Sequence, residues 1–147
     1  MTDFLPVRPD EPDRYDVTFV GRGFSWPLTV DHTGGIRLTN GADDIDRSIR
    51  IVLMTAPGER VMRPRFGCEI WDLVFEPVTP SLLGLITDAV ERALGQWEPR
   101  IDVESVDVSD DPADSALVRV HITYRVKATN DVRNLVYPFY VIPHEEE

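Results

Sequence analysis

The sequence predicts an α+β fold in which two main helices pack on a small, mostly antiparallel sheet. Two segments with apolar residues at every third or fourth position predict the helices, over about 42–55 and 81–97. After residue 100 the apolar period changes to two, which is typical of half-buried antiparallel strands. We also expect an extended N-terminal arm and a C-terminal edge strand that is available for β-augmentation.

Length and composition favour one domain with a real core. The chain has 147 residues, and 42% of them are hydrophobic, which argues against wholesale disorder. Proline and charge dominate the start, and three glutamates close the chain. We therefore predict a flexible N-terminal arm over 1–14, a single domain over 15–142 and an acidic tail over 143–147.

Charge and cysteine content limit the partners. The formal net charge of -11 makes bare nucleic acid an unsuitable partner, because phosphate binding requires an excess of Lys and Arg. No apolar segment approaches ~18 residues, so we expect no membrane insertion. Cys68 is the only cysteine, so no internal disulfide can form, and a reducing cytosol fits best as the site of synthesis.

Helix boundaries follow from proline, glycine and capping residues. Pro57 and Gly58 end the first helix, and Ser81 is the expected N-cap of the second. Pro99 ends the second helix near Trp97, because it disfavours helical geometry at the residue before it. Between the helices, 68–75 is expected to form one or two helical turns.

The strand predictions are more detailed after the second helix than before it. We expect a bulge near Ser105, a turn over 110–114 and a strand over 118–126. The last strand, 135–142, contains Pro138, which favours an edge position. Near the start, short strands are expected at 15–20 and 36–39, with a glycine-rich irregular stretch over 21–27 between them.

The tripeptide Glu98-Pro99-Arg100 is the most informative local feature. It places a carboxylate, a rigid bend and a guanidinium side by side, between an apolar helix and a run of strands. Such an arrangement can brace a corner or grip a partner, and a catalytic acid is a third interpretation.

Chemical motifs are weak throughout the sequence. The histidines are scattered and Cys68 has no partner at ligand spacing, so we expect no metal site and no cofactor. No nucleophile motif is present, and we predict no catalytic residue. Some pair of carboxylates could suit a glycosidase, but none stands out in so acidic a chain: Glu59, Glu69, Asp72, Glu76 and Glu98.

A set of motifs in fixed order resembles a known family. The order is Thr55-Ala56-Pro57-Gly58-Glu59-Arg60, then Pro64-Arg65-Phe66-Gly67, then Trp97-Glu98-Pro99-Arg100-Ile101, and finally Val136-Tyr137-Pro138-Phe139. In this order they resemble the sheath-initiator family of baseplate proteins. That family serves contractile phage tails, type VI secretion systems and extracellular contractile injection particles. The resemblance runs from about residue 35 to residue 142.

The resemblance implies a structural protein made in the bacterial cytoplasm and incorporated, in several copies, into the baseplate of a phage tail or tail-like particle. Its partners would be baseplate wedge proteins and the sheath protein, with tube or spike-hub proteins a further expectation for the N-terminal arm. It places wedge binding at Glu98, Pro99, Arg100, Glu59 and Arg60. It places sheath binding on the last strand, at Leu135, Val136, Tyr137, Pro138, Phe139, Tyr140 and Val141.

Two alternatives stay open at this point. One is a peptidoglycan-degrading hydrolase, because the family often carries a lysozyme label. The other is a soluble adaptor protein on the same fold, which binds one partner and never enters a particle.

Overall fold

The computed structural model describes residues 20–25 and 27–142. The chain divides into two compact units, Met1–Asp44 and Ile45–Glu147. In the first unit, β1 (Arg22–Phe24) pairs antiparallel with β2 (Leu38–Asn40). The prediction of an irregular stretch over 21–27 is therefore wrong for Arg22–Phe24, which form β1. Gly23 pairs with Thr39 in this strand, and its lack of a side chain leaves room for the Asp44 carboxylate, which a Cβ at this position would meet at 2.0 Å.

Of the strand predicted at 15–20, only Val20 lies within the described residues. The strand predicted at 36–39 is found slightly later along the chain, as β2. Ile36 takes part instead in an isolated bridge with Val30.

Helix α1 spans Gly41–Met54, within one residue of the prediction at each end. Its apolar stripe, Ile45, Ile49, Val52 and Leu53, is almost completely buried. The indole N–H of Trp71 donates to the Leu53 carbonyl at 2.9 Å. It thus supplies a donor to one of the last carbonyls of the helix, which have no partner within the helix.

A short 3-10 helix, Glu69–Leu73, precedes helix α2, which spans Pro80–Trp97. The N-cap of α2 is Thr79, whose hydroxyl accepts the backbone N–H of Leu82 at 3.2 Å. The prediction of Ser81 as N-cap is wrong. Pro80 occupies the first helical position instead, where its fixed φ and missing N–H suit the start of a helix.

The main sheet has three antiparallel strands in the order β3-β4-β5, with β3 at Ile101–Asp111, β4 at Asp114–Val126 and β5 at Val132–Tyr140. The predicted bulge is confirmed by a register shift between Val103 and Ser105. The turn predicted over 110–114 is tighter than expected, because β3 and β4 continue until Asp111 pairs with Asp114.

One face of this sheet forms the core with α1, α2 and the 3-10 helix. The phenol of Tyr124 on β4 donates a hydrogen bond to the Asp46 carboxylate on α1, and Trp71 contacts Phe139 edge to face at 5.8 Å. The two helices and the antiparallel sheet confirm the predicted α+β class. Across the two described ranges, no helix combines the length and the apolar character needed to cross a membrane.

Candidate assembly surfaces

The corner between α2 and β3 is held by a two-point ion pair. The Arg100 Nε lies 2.7 Å from Glu98 Oε1, and Nη2 lies 2.8 Å from Oε2. The backbone N–H of Arg100 also donates to Oε1, at 3.3 Å. Glu98 is the C-cap of α2 and is only 2% exposed, whereas the Arg100 side chain is 30% exposed. The pair therefore fixes the chain direction where the helix ends and the sheet begins.

Burial alone would raise the pKa of Glu98, but its partners reverse the direction. Hydrogen bonds from the Arg100 side chain and the Ser48 hydroxyl, together with the charge of Arg100, hold the pKa of Glu98 below its ordinary value. Because Ser48 belongs to α1, the carboxylate joins α1 and the end of α2 to Arg100, which directly precedes β3. A carboxylate with a lowered pKa is poorly suited to donate a proton, so this geometry favours a brace over a catalytic acid.

The loop over 55–67, which carries the Gly58-Glu59-Arg60 motif, is closed by its own hydrogen bonds. The N–H of Gly58 donates to the Pro64 carbonyl at 2.7 Å, and the N–H of Cys68 donates to the Thr55 carbonyl at 2.9 Å. The Glu59 carboxylate accepts the N–H of Ala56 at 3.0 Å. Glu59 therefore stabilises the loop from within, although the residue is exposed.

Two aromatic contacts bring this loop to the corner. The Arg60 guanidinium lies 4.4 Å from the centre of the Phe66 ring, and Phe66 packs edge to face on Trp97 at 5.2 Å. Trp97 directly precedes Glu98. The structure thus unites two motifs that are far apart in sequence. Phe66 lies within one of the predicted motifs, but its role as the link to Trp97 was not predicted, and neither was the contact of Ser48 with Glu98.

The five residues expected to bind the wedge differ in exposure. Glu59, Arg60 and Pro99 are exposed, Arg100 is partly exposed and Glu98 is buried. Glu98 can therefore contribute to a surface only by holding Arg100 in place. We call the exposed surface formed by Glu59, Arg60, Pro99 and Arg100 the loop–corner surface.

The last strand divides its side chains between core and surface. Leu135, Tyr137, Phe139 and Val141 are buried, whereas Val136, Pro138 and Tyr140 are exposed. Only the second set can offer side chains to another molecule.

The backbone of β5 follows the same alternation within the plane of the sheet. The N–H of Val141, just after β5, donates to the carbonyl of Ala116 on β4 at 2.8 Å. The backbone N–H and C=O groups of the odd-numbered residues in this region therefore face β4. Pro138, which has no N–H, lies opposite Arg119 on β4. At this position the backbone nitrogen faces the outer edge of the sheet, so no bond to β4 is lost. The backbone N–H and C=O groups of the even-numbered residues therefore point away from β4, toward the outer edge of the sheet.

The outer edge of β5 has no paired strand among residues 20–25 and 27–142. Just beyond the strand, the N–H of Ile142 donates to the Val74 carbonyl at 2.7 Å, so that end of the edge is already occupied. Within the described residues, the stretch from Asn134 to Tyr140 has no partner strand on its outer side.

The opposite edge of the sheet, β3, has a different character. Its exposed residues include Asp102, Glu104 and Asp107, and Glu104 accepts Arg125 Nε at 2.9 Å. Charged side chains are a common protection against unwanted strand pairing. On β5 the exposed side chains are instead largely apolar, with Val132 50%, Val136 46% and Tyr140 59% exposed.

Neither a metal centre nor a reactive thiol is found in the part of the chain that the structure describes. No group of three or more His, Cys, Asp or Glu residues there could hold a metal ion. Cys68 is fully buried, and burial raises its pKa to about 11. Of the carboxylates considered for catalysis, Glu69 is paired with Arg92 at 2.7 Å.

The match to a family model, together with the fold, identifies the chain as a gp25-like baseplate protein. It belongs to the family described as baseplate wedge protein gp25, whose sequence model matches residues 39–131. The resemblance inferred from the motifs is confirmed by this match.

Three similar proteins illustrate the range of the family. Baseplate wedge protein gp25 of Enterobacteria phage T4 is 31% identical over 81 residues, and the match covers 55% of this chain and 61% of that relative. A crystal structure from Geobacter sulfurreducens, described as a candidate tail lysozyme, has a TM-score of 0.67 and 50% identity, covering 72% of this chain and 96% of that one. A protein in the anti-feeding prophage baseplate has a TM-score of 0.62 and 26% identity, covering 85% of this chain and 89% of that one.

Proposed function

We propose that this chain is a non-enzymatic baseplate protein that links the wedge to the sheath. In this proposal the outer edge of β5 pairs with a strand of the sheath protein and so templates the first sheath ring. The observation that carries the proposal is the largely apolar outer edge of β5, which has no partner strand within the described ranges. Main-chain hydrogen bonds give such pairing its affinity, and alternate side chains fix its register.

The contrast between the two sheet edges supports β5 rather than β3 as the pairing edge. A strand added beside β3 would meet the exposed carboxylates of Asp102 and Asp107. A strand added beside β5 would meet Val136 and Tyr140, which are large and half exposed. Burying those side chains favours addition by ~25 cal/mol for each Å² of apolar surface removed from water.

On the wedge side we propose the loop–corner surface as the contact. Its members come from two loops, and the stack of Arg60, Phe66 and Trp97 connects those loops. A surface that is rigid before binding loses less conformational entropy when it docks, which favours affinity.

Membership of this family supports a proposal about where the protein is made and used. We propose that it is made in the bacterial cytoplasm and enters the baseplate of a phage tail or tail-like particle in several copies. Residues 1–14, which we expected to be an arm that contacts tube or spike-hub proteins, lie outside the described residues, and that role stays a prediction.

A proline substitution tests the sheath proposal without removing the core. Deleting the strand would also remove buried residues such as Leu135 and Phe139, and would unfold the protein. Val136→Pro deletes one outward N–H and leaves the bonds to β4 in place, since Pro138 is already tolerated at an equivalent position. The matched control is Val136→Thr, which keeps the N–H and a branched side chain.

We expect particles that carry Val136→Pro to have short or missing sheaths in electron micrographs, while those with Val136→Thr have sheaths of normal length. The thermal midpoint of both purified variants should stay within a few degrees of the parent chain. Normal sheaths on Val136→Pro particles would refute the role of this edge.

A lysozyme-like hydrolase is the second candidate, because the Geobacter neighbour is described as a candidate tail lysozyme. The two-point ion pair and lowered pKa of Glu98 argue against it. We expect purified protein to release no muropeptides from peptidoglycan. Robust release that is lost in Glu98→Gln, in a variant shown to be folded, would overturn the non-enzymatic proposal.

The adaptor alternative has its own test. Mass spectrometry of purified particles should detect this chain together with wedge and sheath proteins. Its absence from intact particles would favour a soluble adaptor.

A further inference from the structure

The most exposed large apolar side chains among the described residues lie at the tip of the loop over 55–67. Val61 is 93% exposed and Met62 is 91% exposed. Arg60 and Arg63 flank them directly. We call residues 60–63 the arginine-flanked tip. Two adjacent apolar side chains almost wholly in water are unfavourable in an isolated molecule, which indicates a surface that is covered on binding.

The tip is held in one shape rather than being a loose loop. The N–H of Arg63 donates to the Arg60 carbonyl at 3.2 Å, and the N–H of Phe66 donates to the Arg63 carbonyl at 3.1 Å. The contact of Arg60 with Phe66 fixes one end of the tip on the aromatic pair. The exposure of Val61 and Met62 is therefore imposed by a local hydrogen-bonded structure.

The surroundings of the tip are basic, although the chain as a whole is acidic. A groove of about 360 Å³ lies between this loop and α2, and its lining includes Pro64, Arg65, Arg92 and Trp97. Arg92 is paired with Glu69, which also lines the groove, so the positive charge around the apolar tip comes from Arg60, Arg63 and Arg65. The complementary surface is an apolar slot with carboxylates on its rim.

We propose that the arginine-flanked tip inserts into an apolar slot, rimmed by Asp or Glu, on a wedge protein. This inference rests on the proposed function and names the chemistry of its wedge contact. Val61 and Met62 supply the buried anchor, and the neighbouring arginines orient it. The tip lies beside the loop–corner surface, because Arg60 belongs to both, so one partner can cover the two together.

A second copy of this chain is a poorer occupant. A symmetric dimer through this surface would bring the two sets of arginines face to face, which is repulsive. An asymmetric contact between copies is distinguished by the experiment.

The experiment measures binding of the full chain to the purified wedge complex of the same particle, prepared without this chain. The test variant is Val61→Ser with Met62→Ser, and the charge variant is Arg63→Glu. The matched control is Leu85→Ser, which replaces a large apolar residue, 52% exposed, on α2. Thermal unfolding confirms that each variant is folded, and sedimentation reports self-association.

We expect the double serine variant to weaken the Kd by about 100-fold, because two anchor side chains are lost. Arg63→Glu should weaken it by about 10-fold, with a smaller dependence on salt, and Leu85→Ser should bind as the parent chain does.

Three outcomes would overturn the inference, and they show whether the tip contact alone fails or the proposed wedge-linking function fails as well. If the double serine variant binds within about twofold of the parent chain, the tip is outside the interface and the wedge-linking function stands. If the parent chain itself does not bind the wedge complex, both fail. If the parent chain self-associates and the double serine variant does not, the occupant is a second copy.

Discussion

The guanidinium of Arg100 grips both oxygens of the Glu98 carboxylate, at 2.7 and 2.8 Å, while Glu98 itself is almost completely buried. Such a pair is costly to break from one side, because the partner left behind stays buried and charged. Arg100→Ala should therefore lower the free energy of unfolding by about 3 kcal/mol, measured by urea denaturation. The double variant with Glu98→Gln should lose less than the sum of the single losses. Additive losses would mean that the two side chains do not stabilise each other.

The same pair predicts how stability changes in acid. The folded pKa of Glu98 lies below the ordinary glutamate value that the residue has in the unfolded chain. Its contribution is therefore complete above that unfolded value and is lost as the pH falls through the folded one. We expect the stability of Glu98→Gln to fall less steeply than that of the parent chain below about pH 4, in parallel urea titrations. Equal slopes would exclude Glu98 as a source of acid sensitivity.

Tyr124 predicts a loss of stability at the other end of the pH range. Burial, the hydrogen bond to Asp46 and the charge of Asp46 all raise the pKa of the Tyr124 phenol. The neutral phenol therefore stabilises the fold below its unfolded pKa of about 10, and this contribution is lost as the pH rises through the higher folded value.

Tyr124→Phe should cost about 1.5–3 kcal/mol at neutral pH, because it removes a hydrogen bond to a charged group. It should also flatten the alkaline loss of stability, measured by urea unfolding with phenolate absorbance as a second signal. Tyr137, whose pKa burial also raises, remains in the variant and supplies an internal reference. An unchanged alkaline profile would contradict the assignment.

Alanine substitutions at two glycines, Gly67 and Gly84, should change the stability of the fold in opposite directions. Gly67 has φ +129, and a Cβ there would lie 2.2 Å from the Thr55 carbonyl oxygen. Gly67→Ala should therefore destabilise the protein by more than about 2 kcal/mol. Gly84 is an exposed position inside α2 with open space around it, and Gly84→Ala should stabilise by up to about 1 kcal/mol. Thermal unfolding of the two variants checks both signs.

The cap of α2 gives a direct comparison between the sequence-based expectation and the structure. Thr79→Ala should cost about 1 kcal/mol, because the N–H of Leu82 loses its acceptor. Ser81→Ala, at the position first expected to be the cap, should change stability by less than about 0.5 kcal/mol. A larger effect at Ser81 would support the original assignment instead.

The sequence was most informative where one periodic pattern dominated. The limits of α1, the bulge near Ser105 and the edge position of β5 were all predictable, because side-chain period and proline chemistry act locally. The cap of α2 was misassigned because Thr79 and Ser81 flank Pro80 and both are chemically suitable. Only the geometry of the first turn distinguishes them.

The corner formed by Glu98, Pro99 and Arg100 has contacts that local sequence patterns could not predict. Its ion pair was foreseen from adjacent residues, but the burial of Glu98 and its bond with Ser48 depend on how α1 packs. The link from Arg60 through Phe66 to Trp97 joins residues more than thirty positions apart. Such a contact is a product of tertiary packing, and no spacing rule predicts it.

Pro138 has a consequence for how the outer side of β5 can be used. Because it lacks an N–H, any segment laid alongside finds one hydrogen-bond donor missing partway along the row. Whatever its alignment, an added strand therefore has one carbonyl that finds no donor opposite Pro138. The pyrrolidine ring thus lowers the gain from backbone pairing along this edge, so that a bound strand must gain part of its affinity from side-chain contacts.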